Sequence, residues 1–284
     1  MLRNYYLLTK PGIIRGNIIA AIAGFFFAAR GNINIFLLIE MVLGLSLVIA
    51  SGCVFNNYID RKIDRKMART KKRALAASTI SVKNALIFGT VLGILGVAVL
   101  LSINVLTTVT ASLGFFFYVV VYSVWKRKSE YGTLVGSISG SIPPVVGYVA
   151  VTNGFDLGGL LLFAVLVVWQ MPHFYSIAIY RRNDYRQAGI PVLPIVRGVN
   201  NARIQILFYI CAFIVVTSLF TFLGYAGYVY LMTVSLVSLV WLYIGIKGFN
   251  AKNEIVWAKK MFGFSLLNLL AFCIMLSLDS FFHI

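Results

Sequence analysis

Three side chains with oxygen ligands recur at intervals of four residues near the end of an apolar stretch. Asn56, Asp60 and Asp64 share one face if this segment is helical, because residues four apart are neighbours on a helix. Two carboxylates one turn apart repel each other, and a divalent cation removes that cost. Mg²⁺ prefers oxygen ligands and commonly shares its coordination shell with substrate phosphates. The spacing therefore favours a site for Mg²⁺ and a diphosphate.

Basic residues surround this motif and supply cations for an anion with several charges. They are Arg61, Lys62, Arg65, Lys66, Arg69, Lys72 and Arg73. The alternative is a solvated loop in which the acids merely balance the bases. That alternative accounts for the bases, but it does not explain why two of only eight acidic residues lie one turn apart, in register with an Asn.

A second cluster, Tyr118, Tyr122 and Lys126, has the same spacing and would bring two phenols and an ammonium to one helix face. The alternative is an aromatic belt at the membrane interface with a snorkelling lysine.

A third cluster follows in the run WQMPHFY, residues 169–175. His173 is the only histidine in an apolar stretch, and Pro172 frees backbone groups beside it. An ionisable residue at membrane depth indicates a functional site, and the alternative is a neutral histidine that serves packing.

The composition indicates that membrane helices position these clusters. Hydrophobic residues make up 60% of the 284 residues and charged residues only 12%, which a soluble domain of this length cannot bury. The 22 Phe and 15 Tyr residues exclude a disordered chain, and three Cys make no disulfide framework. We therefore predict an integral membrane protein.

A membrane-spanning helix needs about 20 mainly apolar residues. The sequence predicts nine such spans in an all-α polytopic bundle, at about 11–29, 35–57, 84–103, 105–125, 132–152, 158–180, 204–224, 228–246 and 257–280.

The basic residues predict the orientation of the bundle. Of 25 Lys and Arg residues, all but Arg30 fall on one side of the nine spans, so the positive-inside rule places the N-terminus in the cytoplasm and the C-terminus outside. The net charge of +17 is thereby mostly an orientation signal, and we expect no nucleic-acid partner. The two longest loops, 58–83 and 181–203, lie on the cytoplasmic side. Their spacing suggests one domain containing a duplicated unit, spans one to four and five to eight.

Several runs resemble the UbiA-type intramembrane prenyltransferases, and more narrowly the heme-farnesylating branch of that superfamily. They are NNYIDRKIDRKMARTKKRAL (56–75), YGTLVGSISGSIPPVVGY (131–148), WQMPHF (169–174) and DYRQAGIPVLPIVRG (184–198). The resemblance implies a bundle around a central cavity whose polar end faces the cytoplasm. It also implies transfer of a farnesyl group from farnesyl diphosphate to a vinyl group of heme B, with addition of water, through Mg²⁺-assisted ionisation to an allylic cation.

The resemblance assigns Asn56, Asp60 and Asp64 to Mg²⁺ and diphosphate. Our further catalytic candidate is His173, which would orient the water or contact the heme through its iron or a propionate, and the sequence does not choose between these roles. Our candidates for holding the diphosphate are Asn56, Arg65, Arg69, Lys72, Tyr122, Lys126, Arg181, Arg182 and Asp184. Our candidates for the wall of the prenyl and heme cavity are Tyr118, Trp169, Gln170, Phe174 and Tyr175. The second motif departs from the superfamily pattern, since Asp184 has no acid at Tyr180 or Ala188.

Two other functions remain open at this level. One is prenylation of a quinone precursor such as a hydroxybenzoate, and the other is transport of an anion. We expect a bacterial-type inner membrane location, with heme-synthase or terminal-oxidase assembly proteins as partners.

Overall fold

A computed structural model describes residues 2–281 and contains nine helices long and apolar enough to span a membrane in that range. We label them α1 (Pro11–Ala29), α2 (Ile35–Asp64), α3 (Val82–Ile103), α4 (Val105–Lys128), α5 (Gly132–Thr152), α6 (Leu157–Tyr180), α7 (Gly198–Phe222), α8 (Tyr228–Asn250) and α9 (Glu254–Asp279). The described residues form no strand. The all-α fold and the nine predicted spans are confirmed, and the chain is a multi-pass membrane protein.

Two boundaries differ most from the prediction because hydropathy does not register polar helical turns. Helix α2 continues seven residues beyond the predicted end at 57, to Asp64. Arg61 and Lys62 lie in its last turn, where cations are favoured by the helix dipole. Helix α7 begins at Gly198 rather than at 204, and its first turn contains two asparagines.

The helices close into a ring. Helix α2 packs against α3, α6 packs against both α7 and α9, and α9 also contacts α1. The tightest approach joins α1 to α5, where a Cβ added at Gly147 would lie 1.9 Å from the carbonyl oxygen of Ala21. A Cβ at Gly24 would lie 2.0 Å from the carbonyl oxygen of Pro144. Glycine at both positions lets the two backbones touch, as is common between membrane helices.

Large apolar side chains cover the outside of the ring. On α3, for example, Ile87, Ile94 and Leu101 are more than half exposed. An exposed apolar surface of this extent is stable only against lipid, which agrees with the membrane location.

Three helices depart from α-helical geometry beside the interior of the ring. Helix α4 contains a π-helical stretch, Phe117–Tyr122, and α5 is interrupted at Ser141 between Gly140 and Ile142. Helix α6 contains Pro172, whose carbonyl oxygen accepts a hydrogen bond of 2.6 Å from the hydroxyl of Ser176. Such irregularities are tolerated in a membrane where the backbone faces protein or a cavity.

We call the membrane side that carries residues 65–81, 129–131, 181–197 and 251–253 the basic side. Three short helices, Leu2–Leu8, Arg182–Ala188 and Leu193–Val196, flank the spans. That the basic side faces the cytoplasm, and that the bundle is one domain with a duplicated unit, remain predictions.

Candidate active site

A cavity of about 570 Å³ opens toward the basic side and is lined by residues of six of the nine spans. This volume lies within the usual range for ligand pockets. Along α2 the lining extends from Asp64 to Leu45, a depth of about 28 Å at 1.5 Å per residue. Charged side chains line the basic-side end, and mainly apolar side chains line the deeper part.

The oxygens of the first motif line the cavity mouth. Asn56, Asp60 and Asp64 all face the cavity from α2 and are only 3%, 7% and 2% exposed. The extra turns of α2 bring the three side chains onto one face, as the spacing predicted for a helix.

Each carboxylate is ion-paired with a base from another part of the chain. Asp60 pairs with Lys126 of α4 and accepts a 3.2 Å hydrogen bond from Arg127 Nη2. Asp64 accepts 3.0 Å bonds at both oxygens from Arg73 Nη1. Buried charges need partners of this kind, so the pairs explain how two carboxylates are buried side by side.

The amide oxygen of Asn56 is engaged by Lys10, which precedes α1. Lys10 Nζ donates a 2.6 Å hydrogen bond to Asn56 Oδ1. Burial lowers the pKa of Lys10 to about 8. Lys10 and Arg73 both line the cavity. Arg73 belongs to the basic run noted in the sequence but not to the candidates for holding the diphosphate, and Lys10 belongs to neither set. The only sequence signal for Lys10 is its place beside Pro11, at the start of a span.

The second predicted cluster also faces the cavity. The rings of Tyr118 and Tyr122 are stacked, with centroids 6.0 Å apart and planes at 9°. Lys126 Nζ lies 4.9 Å from the Tyr122 centroid, within the range of a cation–π contact. The π-helical stretch contains both tyrosines and precedes Lys126. At its end the hydroxyl of Ser123 donates a hydrogen bond to the carbonyl oxygen of Tyr118, five residues back.

The third cluster forms a wall of the cavity between α6 and α9. Trp169, His173 and Phe174 line the cavity. The Trp169 indole donates a 2.8 Å hydrogen bond to the carbonyl oxygen of Ser265, and His173 Nδ1 lies 2.7 Å from Ser265 Oγ. The Trp169 and His173 rings are stacked at 4.8 Å. Two neutral hydrogen bonds to one residue of α9 thus hold this wall.

Gln170 is fixed against α5. Its Nε2 lies within hydrogen-bond distance of the carbonyl oxygens of Ser137 and Leu166 and of Ser141 Oγ, at 2.9 to 3.2 Å. A Cβ at Gly140 would lie 2.0 Å from Gln170 Oε1, so glycine is required for this approach.

Six predicted site residues do not line the cavity. Two of them, Arg65 and Lys72, lie in the segment after α2. Arg65 instead bonds to the carbonyl oxygen of Ala76 at 2.8 Å and to Ser78 Oγ at 3.1 Å, which braces the loop after α2. Lys72 is exposed on that loop. Arg69, by contrast, lines the cavity.

The three predicted charged residues directly after α6 are paired with each other or with α9. Arg181 lies 3.8 Å from Asp184, and Arg182 lies 2.9 Å from Glu254 at the start of α9. None of Arg181, Arg182 and Asp184 lines the cavity. Tyr175 is the sixth predicted residue outside the cavity lining. It points away from the cavity, and its ring centroid lies 6.4 Å from that of Tyr209 of α7.

The loop after α6 nevertheless contributes uncharged residues to the mouth, among them Tyr185, Pro191 and Val192. Burial raises the pKa of the Tyr185 phenol, and nearby Arg69 opposes that rise. Glu130 also lines the mouth and is held by Arg197 Nε at 2.7 Å. Nothing in the sequence spacing distinguished these residues from an ordinary loop.

The oxygen donors fit a Mg²⁺ ion that is shared with a substrate. Within residues 2–281 no group of three or more His, Cys, Asp or Glu side chains is placed to hold a metal. Asn56, Asp60 and Asp64 therefore offer one face of oxygen ligands rather than a full cage. Mg²⁺ usually binds in this way, with water and phosphate oxygens completing its shell.

Comparison with known proteins agrees with the family resemblance of the sequence over most of the chain. The model of the UbiA prenyltransferase family matches residues 17–269. Protoheme IX farnesyltransferase from Edwardsiella ictaluri is 50% identical over 281 residues, which cover 98% of this chain and 95% of that protein.

Solved structures share the fold at low sequence identity. Digeranylgeranylglyceryl phosphate synthase superposes with a TM-score of 0.80 at 20% identity, covering 99% of this chain and 98% of the other. A UbiA homolog from Archaeoglobus fulgidus, bound to GPP and Mg²⁺, superposes with a TM-score of 0.67 at 14% identity, covering 96% and 99%.

Proposed function

This chain belongs to the UbiA prenyltransferase family and is a membrane prenyltransferase, and we propose that it farnesylates heme B. The reaction joins the farnesyl group of farnesyl diphosphate to a vinyl group of heme B, adds water, and yields heme O and diphosphate. The relative from Edwardsiella ictaluri, 50% identical over almost the whole chain, is named for farnesylation of protoheme IX.

The observation that carries this proposal is the division of one cavity into two chemical environments. The mouth combines buried carboxylates with four bases, namely Lys10, Arg69, Arg73 and Lys126. The deeper part is mainly apolar and has an aromatic wall that includes His173. A prenyl diphosphate has one highly charged end and one apolar end, and a porphyrin needs a broad apolar surface.

At the mouth, the chain binds the diphosphate and stabilises its departure. Asn56, Asp60 and Asp64 would hold Mg²⁺, which when bound neutralises charge on the diphosphate oxygens. Lys126 and Arg69 contact the oxygens that remain. Such preorganised cations act most strongly where charge develops in the transition state. The relative from Archaeoglobus fulgidus that binds GPP and Mg²⁺ supports this arrangement.

In the deeper part, the chain protects and directs the farnesyl cation. The faces of Tyr118, Tyr122 and Trp169 stabilise positive charge, and the apolar lining excludes water until the new carbon–carbon bond has formed. The vinyl group then attacks the allylic carbon. Water adds to the resulting cation as the hydroxyl group, and its second proton leaves with the diphosphate or to solvent.

The product assay tests this function directly. Purified protein receives Mg²⁺ and farnesyl diphosphate with either heme B or 4-hydroxybenzoate, and the products are identified by mass spectrometry. We expect farnesylated, hydrated heme and no prenylated benzoate. Prenylated benzoate alone would replace the proposed acceptor with a quinone precursor.

We further propose that the protein lies in a bacterial inner membrane with the basic side toward the cytoplasm. Position 71 is exposed on the loop after α2. A Lys71→Cys variant should react with a membrane-impermeant maleimide only after the cells are opened. Labelling in intact cells would invert the orientation.

A further inference from the structure

The hydrogen bonds of Ser265 define which nitrogen of His173 carries the proton. Ser265 Oγ donates its one proton to the carbonyl oxygen of Phe262, at 2.6 Å. The same oxygen lies 2.7 Å from His173 Nδ1, and so it accepts the Nδ1 proton. A neutral imidazole with its proton on Nδ1 has a free lone pair on Nε2.

No residue that the structure describes uses that lone pair. Among residues 2–281, His173 Nε2 has no hydrogen-bond partner, although the residue is only 8% exposed and its ring lines the cavity. The ring is held between Trp169, at 4.8 Å, and Phe262, at 4.9 Å. Trp169 is itself fixed by the carbonyl of Ser265. The imidazole is therefore rigid and presents a basic nitrogen to the cavity.

This arrangement is typical of a metal-ligating histidine. Such residues usually donate the other ring N–H to a neighbouring oxygen, which fixes the tautomer and the orientation of the ring. No group of three metal-ligating side chains is present in the described part of the chain. A metal at Nε2 must therefore bring its other ligands with it, as the iron of a metalloporphyrin does.

We propose that His173 Nε2 is an axial ligand to the iron of the heme substrate. This inference rests on the proposed function, which supplies a metalloporphyrin as the acceptor. The bond formed is a coordinate bond from the Nε2 lone pair to iron, and neither group is oxidised or reduced. Ser265 acts as a positioning residue that keeps Nε2 unprotonated.

Axial ligation would place the porphyrin for the reaction. His173 lies seven residues before the end of α6, about 10 Å below the basic-side end of that helix at 1.5 Å per residue. The vinyl groups lie at the rim of the porphyrin, several ångströms from the iron. If the iron is bound at this wall, a vinyl group at the rim would have to reach toward the diphosphate at the mouth for transfer to occur. His173 then positions the acceptor instead of moving a proton.

Optical and electron paramagnetic resonance titrations with ferric heme B test the ligand. The purified full-length protein should give the spectrum of a histidine-ligated heme. His173→Ala should lose that signature and bind heme at least about tenfold more weakly. Added imidazole should restore the signature. His283→Ala, which removes the only other histidine of the sequence, is the matched control and should match wild type. An unchanged spectrum in His173→Ala would overturn the proposal.

Two further measurements keep the test decisive. If His173→Ala does not fold, His173→Met supplies a different iron ligand and should give a distinguishable spectrum. Iron-free protoporphyrin IX should bind wild type and His173→Met equally, because it offers no metal to either. A loss of protoporphyrin binding equal to the loss of heme binding would show that position 173 only shapes the cavity.

The outcomes also separate this inference from the proposed function. If wild type forms farnesylated heme while the spectrum does not depend on His173, the ligand assignment fails and the function stands. If wild type binds heme through His173 but no farnesylated heme is formed, the function fails and a heme site remains.

Discussion

The two long loops on the basic side have different roles, although each follows the second helix of a predicted four-helix unit. Helix α2 ends in carboxylates that face the cavity, and the loop after it adds Arg69 and Arg73. Helix α6 ends in ion pairs outside the cavity, between Arg181 and Asp184 and between Arg182 and Glu254. Only uncharged residues of the second loop reach the cavity mouth.

If the proposed function is correct, this difference concentrates diphosphate binding in the first half of the chain. The second half provides the neutral wall of Trp169 and His173 and anchors its own loop with charges. If the two halves are copies of one unit, they have divided the donor and acceptor substrates between them. Asp184 does not contribute to the cavity, because its carboxylate lies outside the lining and near Arg181.

Removal of divalent metal should give the largest effect. EDTA is expected to reduce prenyl transfer to background, and excess Mg²⁺ to restore it, because the carboxylates of Asp60 and Asp64 would repel a diphosphate unless a divalent cation lies between them. Heme binding at the second-half wall, followed by absorbance, should be unaffected. Loss of heme binding in EDTA would show that the two regions are not independent.

Substitution of the buried carboxylates comes next. Asp60→Asn or Asp64→Asn should lower kcat/KM by at least about 100-fold, the scale for loss of one electrostatic transition-state contact. Asp184→Asn is the matched control in the second half, and it should change kcat/KM by less than about twofold, as for most surface positions. Equal losses of kcat/KM in the first-half and second-half variants would contradict the proposed difference between the two loops. A thermal melt of each variant separates loss of activity from loss of folding.

Removal of a buried counterion should mainly affect stability. Arg73→Met leaves Asp64 buried without its partner, and the expected destabilisation is about 3 kcal/mol. Arg182→Met breaks a pair whose side chains are each about one-third exposed, and it should cost at most about 1 kcal/mol. Melting of both variants without substrate compares the two loops directly. Similar shifts in melting temperature would mean that the ion pairs of the two loops contribute equally to stability despite their different burial.

The smallest effect should come from the exposed bases of the first loop. Lys72→Met should change KM for farnesyl diphosphate by less than about twofold, because this side chain lies outside the cavity. Lys126→Met is its matched variant at the cavity and should raise KM by at least about tenfold, since charge-assisted bonds to phosphate are strong. A large effect at Lys72 would show that the whole basic run binds the diphosphate.

The sequence was sufficient for the spans and for the register of the first motif. Hydropathy measures the length of lipid-facing helix, and a period of four places Asn56, Asp60 and Asp64 on one face. The limit of this spacing argument is clear in the basic residues that follow the motif. Arg65, Arg69 and Arg73 are also four apart, but α2 ends at Asp64, and only the last two line the cavity.

Contacts between distant segments could not be predicted from the sequence, for a different reason. The pairing of Lys10 with Asn56 depends on which helix α1 adjoins, and hydropathy does not encode neighbours. The same holds for Ser265, which lies 92 residues from His173 and is one of several serines in apolar helices. Arg181, Arg182 and Asp184 were candidates by residue type. Arg181 pairs locally with Asp184, whereas the pairing of Arg182 with Glu254 depends on the position of α9.

The π-helical turn of α4 has a consequence for how tolerant this helix is of deletions. A π turn holds one residue more than an α turn, so it is equivalent to a single-residue insertion accommodated within Phe117–Tyr122. Deleting Val120 would convert the turn to a regular α-helix without shortening the span appreciably. Residues beyond the turn would keep their direction around the helix axis, because the π turn already absorbs the additional residue. Lys126 would therefore still face Asp60, whereas deletion of one residue from a regular turn of α4 would rotate Lys126 by about 100° away from it.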